Sequence, residues 1–228
     1  NEIFEISKII NKPINKKYFN EKKFNKNINI FKNVKTNTSY NEFKIMVEKA
    51  KKYIFEGEIF QVVLSRIFKK KINVDPLSIY RSLRYLNPSP YLFLMNFKKF
   101  SIVGSSPEIL IKLEGDKVTV RPIAGTRKRG KNKSEDNKLK NELLNDPKEL
   151  SEHLMLLDLG RNDISRVSQS GSVKVTDKMY IEYFSHVMHI VSNIVGKVIK
   201  NSKSTDVLFS GFPAGTVTGA PKIRAMEI

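Results

Sequence analysis

Between residues 91 and 125 four short apolar or alternating runs follow one another: YLFLMNF, FSIVGSS, EILIKLEG and KVTVRPIAG. Gly, Lys or Asp separates them, as antiparallel sheets with tight turns require. Further strand-like runs lie on both sides: EIFQVVLSRIF before them, then SVKVTDKMYIEYF and HVMHIVSNIVGKVI after a long polar and helical stretch. No regular alternation of strand and helix is present, so the fold class is α+β with large antiparallel sheets. With 228 residues and 40% apolar content, the chain can bury a sizeable core.

Helices intervene irregularly. In SYNEFKIMVEKAKKYIFEG, Ser39 and Glu42 form a capping box, Phe43, Val47, Ala50 and Ile54 share a face, and Gly57 marks the stop. PLSIYRSLRYLN returns to helical spacing before the turn NPSP. DPKELSEHLMLLDLGRNDISRVS has Asp146 as N-cap and Pro147 at the first helical position, which predicts a second long helix. A charged segment fills 127–142. Residues 1–37 show no sustained period and read as a linker or the tail of an N-terminal region, with the ordered domain over 38–228.

The formal charge of +18 raises the question of nucleic acid. Residues 1–37 hold nine lysines and nine asparagines against three acids, and the same excess runs along the whole chain without gathering into an arm. That is the pattern of a composition bias on solvated surface, so no nucleic-acid partner is expected. Such a field still attracts a small dianionic substrate. No run of 18 apolar residues and no basic-then-apolar leader occurs, which predicts a cytoplasmic chain without a membrane partner. The absence of cysteine excludes disulfides, thiolate metal sites and a cysteine nucleophile within the chain.

Four groups of residues have the chemistry to act. Glu149, Glu152 and His153 share one face near the start of the second long helix; they suit either a solvated first turn favoured by the helix dipole or hard oxygen ligation of Mg²⁺. His186 and His189 lie three apart in a strand, on opposite faces, so they do not chelate zinc together. Glu108, in VGSSPEILIK, is either a strand-end surface residue or, if enclosed, a carboxyl whose raised pKa lets it donate a proton at neutral pH. The closing stretch GFPAGTVTGAPKIRAMEI matches neither common phosphate loop; its glycines make a tight turn or a backbone cradle for an anion.

Seven ordered segments, GEIFQVVLSR, NPSPYLF, IVGSSPEIL, RPIAGTRKRG, ELSEHLMLLDLGRND, VMHIVS and GTVTGAPKIRAMEI, together resemble the chorismate-utilising enzymes, and among them the large subunits of anthranilate synthase. The resemblance implies a two-sheet antiparallel sandwich with peripheral helices, and a lyase that uses Mg²⁺. It implies Glu152 as a magnesium ligand and Gly125 and Thr126 as chorismate contacts. It makes Glu108 the acid beside the departing C4 hydroxyl, His189 the histidine beside the ring and Thr216 the threonine of the glycine loop. Gln61 stands where water-adding members carry a lysine base, which favours ammonia as nucleophile. Ala124 stands where aminodeoxychorismate synthases, the alternative in the family, commonly carry a lysine nucleophile. The implied partner is a glutamine amidotransferase subunit that supplies ammonia. Pro90, Tyr91 and Leu92 match one half of the family's tryptophan inhibitor site. Members of the family continue past RAMEI with a second magnesium glutamate and a carboxylate-binding arginine, so the resemblance implies a fragment, incomplete at its C-terminus and inactive alone.

Overall fold

The computed structural model describes residues 2–10, 12 and 32–228. It divides into a small unit, Asn1–Lys35 with Lys69–Lys71, and a large one, Thr36–Phe68 with Ile72–Ile228. The small unit contains helix α1 (Glu2–Ile10). The rest of the linker or tail expected over 1–37 lies mostly outside the described residues.

In chain order there follow β1 (Lys35–Thr36), α2 (Tyr40–Phe55), β2 (Gln61–Val62), β3 (Phe68–Lys69), α3 (Pro76–Leu86) and the hairpin β4 (Tyr91–Asn96) and β5 (Ser101–Ser106). Next come β6 (Lys112–Glu114), β7 (Lys117–Val120), β8 (Ile123–Lys128), α4 (Lys133–Leu144) and α5 (Pro147–Ser165). The chain ends with β9 (Lys174–Tyr183), β10 (Val187–Lys197), α6 (Ser204–Gly211), α7 (Gly215–Thr218), β11 (Gly219–Ala220) and α8 (Lys222–Glu227).

Local chemistry accounts for the helix ends. Ser39 Oγ accepts from the Glu42 amide at 3.2 Å while Glu42 accepts from the Ser39 amide at 2.7 Å, the expected capping box. Gly57 follows α2 at φ 77°, a left-handed conformation that glycine adopts without strain. Asp146 accepts from the amides of Lys148 and Glu149 at the head of α5. Helix α4 was not foreseen. Asn132 caps it by accepting from the Glu135 amide, but its only buried residues are Asp136 and Leu143, so it lacks the apolar stripe by which helices are read.

The long strand expected over EIFQVVLSRIF is a second departure. Gln61 and Val62 pair antiparallel with Ala220 and Gly219 of β11, and at the far end of the run Phe68 belongs to β3, which pairs with β1; the residues between them lie in no strand. A strand extends as far as its partner offers backbone groups, and the residue after Ala220 is Pro221, which has no N–H to give.

The main sheet has five strands in the order β6, β7, β10, β8, with β9 on the other side of β10. Strands β7 and β8 pair with successive stretches of β10, Lys117–Val120 with 194–197 and Ile123–Lys128 with 187–191. They are the single run KVTVRPIAG broken at Pro122, whose carbonyl still accepts from the Ser192 amide. The other described sheets are two-stranded: β1 with β3, β2 with β11, and β4 with β5.

Helix α5 packs on β8 and β10. Its buried residues His153, Leu156, Leu157, Gly160, Asp163 and Ile164 fall at helical spacing along one face. Gly160 permits close approach, because a Cβ there would lie 2.9 Å from Ile194 Cδ1. Val118, Leu157, Ile164, Val167, Ile194, Val198 and Val207 form the main core, and Leu143, Met188 and Ile190 a second. Each fully buried side chain of this kind contributes roughly 1.5–3 kcal/mol. Among the described residues no helix is long and apolar enough to cross a membrane.

Candidate active site

A cleft of about 250 Å³ opens between α5, the entry to β6 and the loop that follows α6. Glu108, Leu156, Gly160, Asp163, Gly211 and Thr216 are among the residues that line it. Two of the expected catalytic residues, Glu108 and Thr216, are therefore brought together from segments that lie far apart in the sequence.

The local chain geometry fixes how Glu108 enters. Ser106, at the end of β5, accepts from the Glu108 amide at 3.3 Å and donates through Oγ to the Glu108 carbonyl at 3.1 Å. Burial among the apolar walls of the cleft pushes the Glu108 carboxyl above the ordinary glutamate value. Glu108 is half-buried, between the two readings open in the sequence, strand-end surface residue and enclosed acid.

Gly125, Thr126 and His189 form a neighbouring group where β8 meets β10. Thr126 is paired with His189 across the sheet, and Thr126 Oγ1 lies 2.9 Å from His189 Nδ1. The Gly125 carbonyl is 3.2 Å from the same nitrogen. A carbonyl only accepts, so Nδ1 carries the proton in that contact. The Phe184 ring meets the imidazole edge-on at 5.3 Å between centroids. Gly125 has φ 76°, and a Cβ on it would lie 3.0 Å from Ile190 Cδ1 and 3.3 Å from Glu149 Oε2. His186 is exposed, outside β10, with Nδ1 2.9 Å from Ser185 Oγ.

Glu149 and Glu152 differ in their surroundings although they share α5. Arg127 holds Glu149 at 3.3 Å and Asp146 at 2.8 Å, so Glu149 is committed to an ion-pair network. Glu152 is half-buried and makes no hydrogen bond or ion pair among the described residues. It lies one turn before Leu156, on the face that lines the cleft. Mg²⁺ takes oxygen ligands, keeps several waters and binds through one or two carboxylates, so the free Glu152 carboxylate fits it. Among the described residues no group of three or more histidine or acidic side chains is placed to hold a metal. The adjacent His153 belongs to the core instead: its Nε2 is 2.7 Å from Ser192 Oγ, which also accepts from the Met179 amide. Burial pushes its imidazole below the ordinary histidine value, with the Ala124 carbonyl acting the other way.

Gln61 stands on β2 against the β11 end of the glycine loop, its Oε1 shielded and without a hydrogen-bond partner among the described residues. Pro90 precedes β4, where Tyr91 and Leu92 pair with Ser106 and Ser105 of β5. The loop's closing helix α8 is short, and what the loop turns inward is a side chain. Lys222 Nζ donates to both oxygens of Asp163 at 2.7 Å and to the Gly211 carbonyl at 3.3 Å. Burial raises the Asp163 carboxyl above its ordinary value, and Lys222 opposes that rise. Both residues sit inside the quoted segments ELSEHLMLLDLGRND and GTVTGAPKIRAMEI, but nothing in their spacing pairs them.

An antiparallel sheet backed by a long helix, with a half-buried acid lining one cleft with a glycine-rich loop, agrees with the class that the family comparison defines: the chain belongs to the chorismate binding enzyme family, which matches residues 7–228. Among curated proteins it is 54% identical over 198 residues to anthranilate synthase component 1 of Aquifex aeolicus, covering 87% of this chain and 40% of the relative. It is 58% identical over 186 residues to anthranilate synthase component 1 of Neisseria meningitidis serogroup A, covering 82% of this chain and 38% of the relative. Among solved structures, anthranilate synthase component I from Streptococcus pneumoniae superposes with a TM-score of 0.77 at 44% identity, covering 85% of this chain and 42% of that one. The menaquinone-specific isochorismate synthase of Escherichia coli, with a TM-score of 0.73 and 23% identity, shares the fold; 85% of this chain and 45% of that one are covered. The chain thus spans about 40% of the length of the curated relatives it matches.

Proposed function

We propose that this chain forms the chorismate-binding part of an anthranilate synthase component I, a cytoplasmic lyase that converts chorismate and ammonia to anthranilate and pyruvate, the first step of tryptophan biosynthesis. The observation that carries the reading is that the half-buried Glu108, its pKa raised by burial, lines the same cleft as Thr216. Ammonia adds at C2 of chorismate as the C4 hydroxyl departs, and loss of pyruvate then gives the aromatic amine. Hydroxide is a poor leaving group, and Glu108, whose pKa burial raises, is suited to supply the proton that lets it go as water. Gln61 offers an amide where a base would be needed to activate water, which suits a nucleophile that needs no deprotonation before attack. Ala124 is buried and has no group able to form a covalent adduct, which disfavours the aminodeoxychorismate synthase route. His189, with Nδ1–H on the Gly125 carbonyl, presents Nε2 beside the ring, while Gly125 and Thr126 border the substrate and Thr216 contacts it from the loop.

Glu152 would hold the Mg²⁺, which when bound draws electron density toward the ring carboxylate and eases departure at C4. A glutamine amidotransferase, component II, supplies ammonia as partner. Tryptophan acts as feedback inhibitor at a site to which Pro90, Tyr91 and Leu92 contribute. Residues 38–228 form the catalytic domain and 1–37 a linker or N-terminal tail. In a chain of the relatives' length a second sheet completes the sandwich and further charged groups complete the site, so residues 1–228 alone are inactive.

The test is a chain extended to the relatives' length, assayed with chorismate, ammonium salt and Mg²⁺. Fluorescent anthranilate is expected without the partner; isochorismate or 4-amino-4-deoxychorismate as sole product refutes the reading.

A further inference from the structure

We propose that Lys222 is a positioning residue of the cleft: it ties the base of the Gly211–Lys222 loop to Asp163 of α5 and so sets where Thr216 stands opposite Glu108. The inference rests on the reading of this cleft as the catalytic site. Lys222 is 6% exposed and Asp163 is 7% exposed. An ammonium has three protons to give, and Lys222 gives them to Asp163 Oδ1, Asp163 Oδ2 and the Gly211 carbonyl. It therefore has no proton left to offer a substrate, and its role is exerted through what it holds.

What it holds is specific. Gly211 is the last residue of α6 and Lys222 the first of α8, so their contact closes the loop on itself. Asp163 is a turn beyond Gly160 on the α5 face that lines the cleft, so the same contact docks the closed loop onto that wall. The Thr218 and Ala220 carbonyls accept from the Val63 and Phe60 amides beside β2, and within the loop Thr218 Oγ1 and the Val217 amide both donate to the Ala214 carbonyl. These last two bonds shape α7 but leave its placement to the loop's ends, to β11 pairing with β2 and to the packing of Gly215 on Leu159.

The general behaviour of buried ion pairs supplies the discriminating experiment. Removing one partner strands a buried charge and destabilises the fold, whereas replacing both by apolar groups of similar volume is often neutral. A purely stabilising pair would thus be replaceable. The double variant Lys222→Met with Asp163→Leu removes the charges and also the hydrogen bond to Gly211. In a chain extended to the relatives' length we expect it to melt close to the parent, with kcat for anthranilate formation lowered about 10- to 100-fold and KM within about twofold, the signature of a displaced contact. Amide hydrogen exchange over residues 212–220 should accelerate while α5 and β10 keep parental rates. Parental kcat in the folded double variant, or unchanged exchange over 212–220, overturns the proposal. Should the double variant fail to fold, Asp163→Asn keeps the volume and one acceptor; it should show the same local exchange and a smaller loss of kcat, and parental values of both refute the role. If the parent itself makes no anthranilate, the functional reading falls, and the exchange comparison still decides whether Lys222 places the loop.

Discussion

Replacing Gly125 by alanine adds one methyl group where both backbone and surroundings resist it. At φ 76° an L-residue with a Cβ costs roughly 1–2 kcal/mol more than glycine. The new Cβ would also lie 3.0 Å from Ile190 Cδ1 and 3.2 Å from Ile190 Cγ1, and Ile190 is fully buried in the second core cluster. Overpacking of that kind typically adds about 1–3 kcal/mol. The sum, about 2–5 kcal/mol, corresponds to a fall in Tm of roughly 5–15 °C for a chain of this size. Gly115 is the control: at φ 61° it has the same backbone restriction, but a Cβ there meets nothing within 4 Å. Thermal unfolding followed by circular dichroism should therefore place Gly115→Ala slightly below the parent and Gly125→Ala well below both. Equal melting of the two alanine variants would show that contact with Ile190 contributes nothing, and the account of why this position is glycine would be wrong.

Burial raises the Glu108 pKa, so its acid form persists to higher pH than for an ordinary glutamate, and turnover should fall as pH rises through that raised value. Glu108→Gln should abolish that limb and most activity. It should melt like the parent at low pH but above it once the pH exceeds the raised pKa, where only the parent buries a charge; melting curves that do not diverge with pH refute the enclosure of Glu108. Glu152→Gln should raise the Mg²⁺ concentration needed for half-maximal activity with little change in Tm, whereas Glu149→Gln, whose partner is Arg127, should leave the Mg²⁺ titration where it is. Asp146→Ala removes the acceptor for two amides at the head of α5 and should cost about 1–2 kcal/mol, read as a lowered urea midpoint at constant m-value.

What could be read from the sequence was mostly what neighbouring residues decide. The caps of α2 and α5 depend on side chains within three residues of the amides they bind, and Ser39, Glu42 and Asp146 are found bonded as expected. The runs that became β9 and β10 were legible because a strand buried on one or both faces keeps its apolar pattern along its own length. What failed depended on remote partners. EIFQVVLSRIF has the composition of one strand but meets partners only near its two ends, β11 at Gln61 and Val62 and β1 at Phe68. Helix α4 sets only Leu139 and Leu143 against the second core and is otherwise held by polar contacts, among them Arg129 bound to Asp136, so its apolar pattern is too short to read as a period. Glu108 could be named from its motif, but its enclosure requires α5 and the loop beyond Gly211, which no local spacing specifies. The Asp163–Lys222 pair was missed for the same reason: the two residues stand 59 apart in the chain.

The break at Pro122 bears on the order in which the sheet is assembled. Strand β10 finds β9 across a short turn, but β7 and β8 are separated from it by α4, α5 and β9. Such non-local pairing is slow, because loop-closure entropy is spent before the contacts repay it. A continuous strand would have to dock on β10 in a single long register, with a slip by one residue turning its apolar set outward. Divided at Pro122, the strand can dock in two short pieces, β7 against 194–197 and β8 against 187–191, each correctable without undoing the other. The expected trace is two protection phases in pulse-labelled hydrogen exchange, with the β9–β10 amides preceding those of β7 and β8, and the residues around the candidate site becoming ordered last.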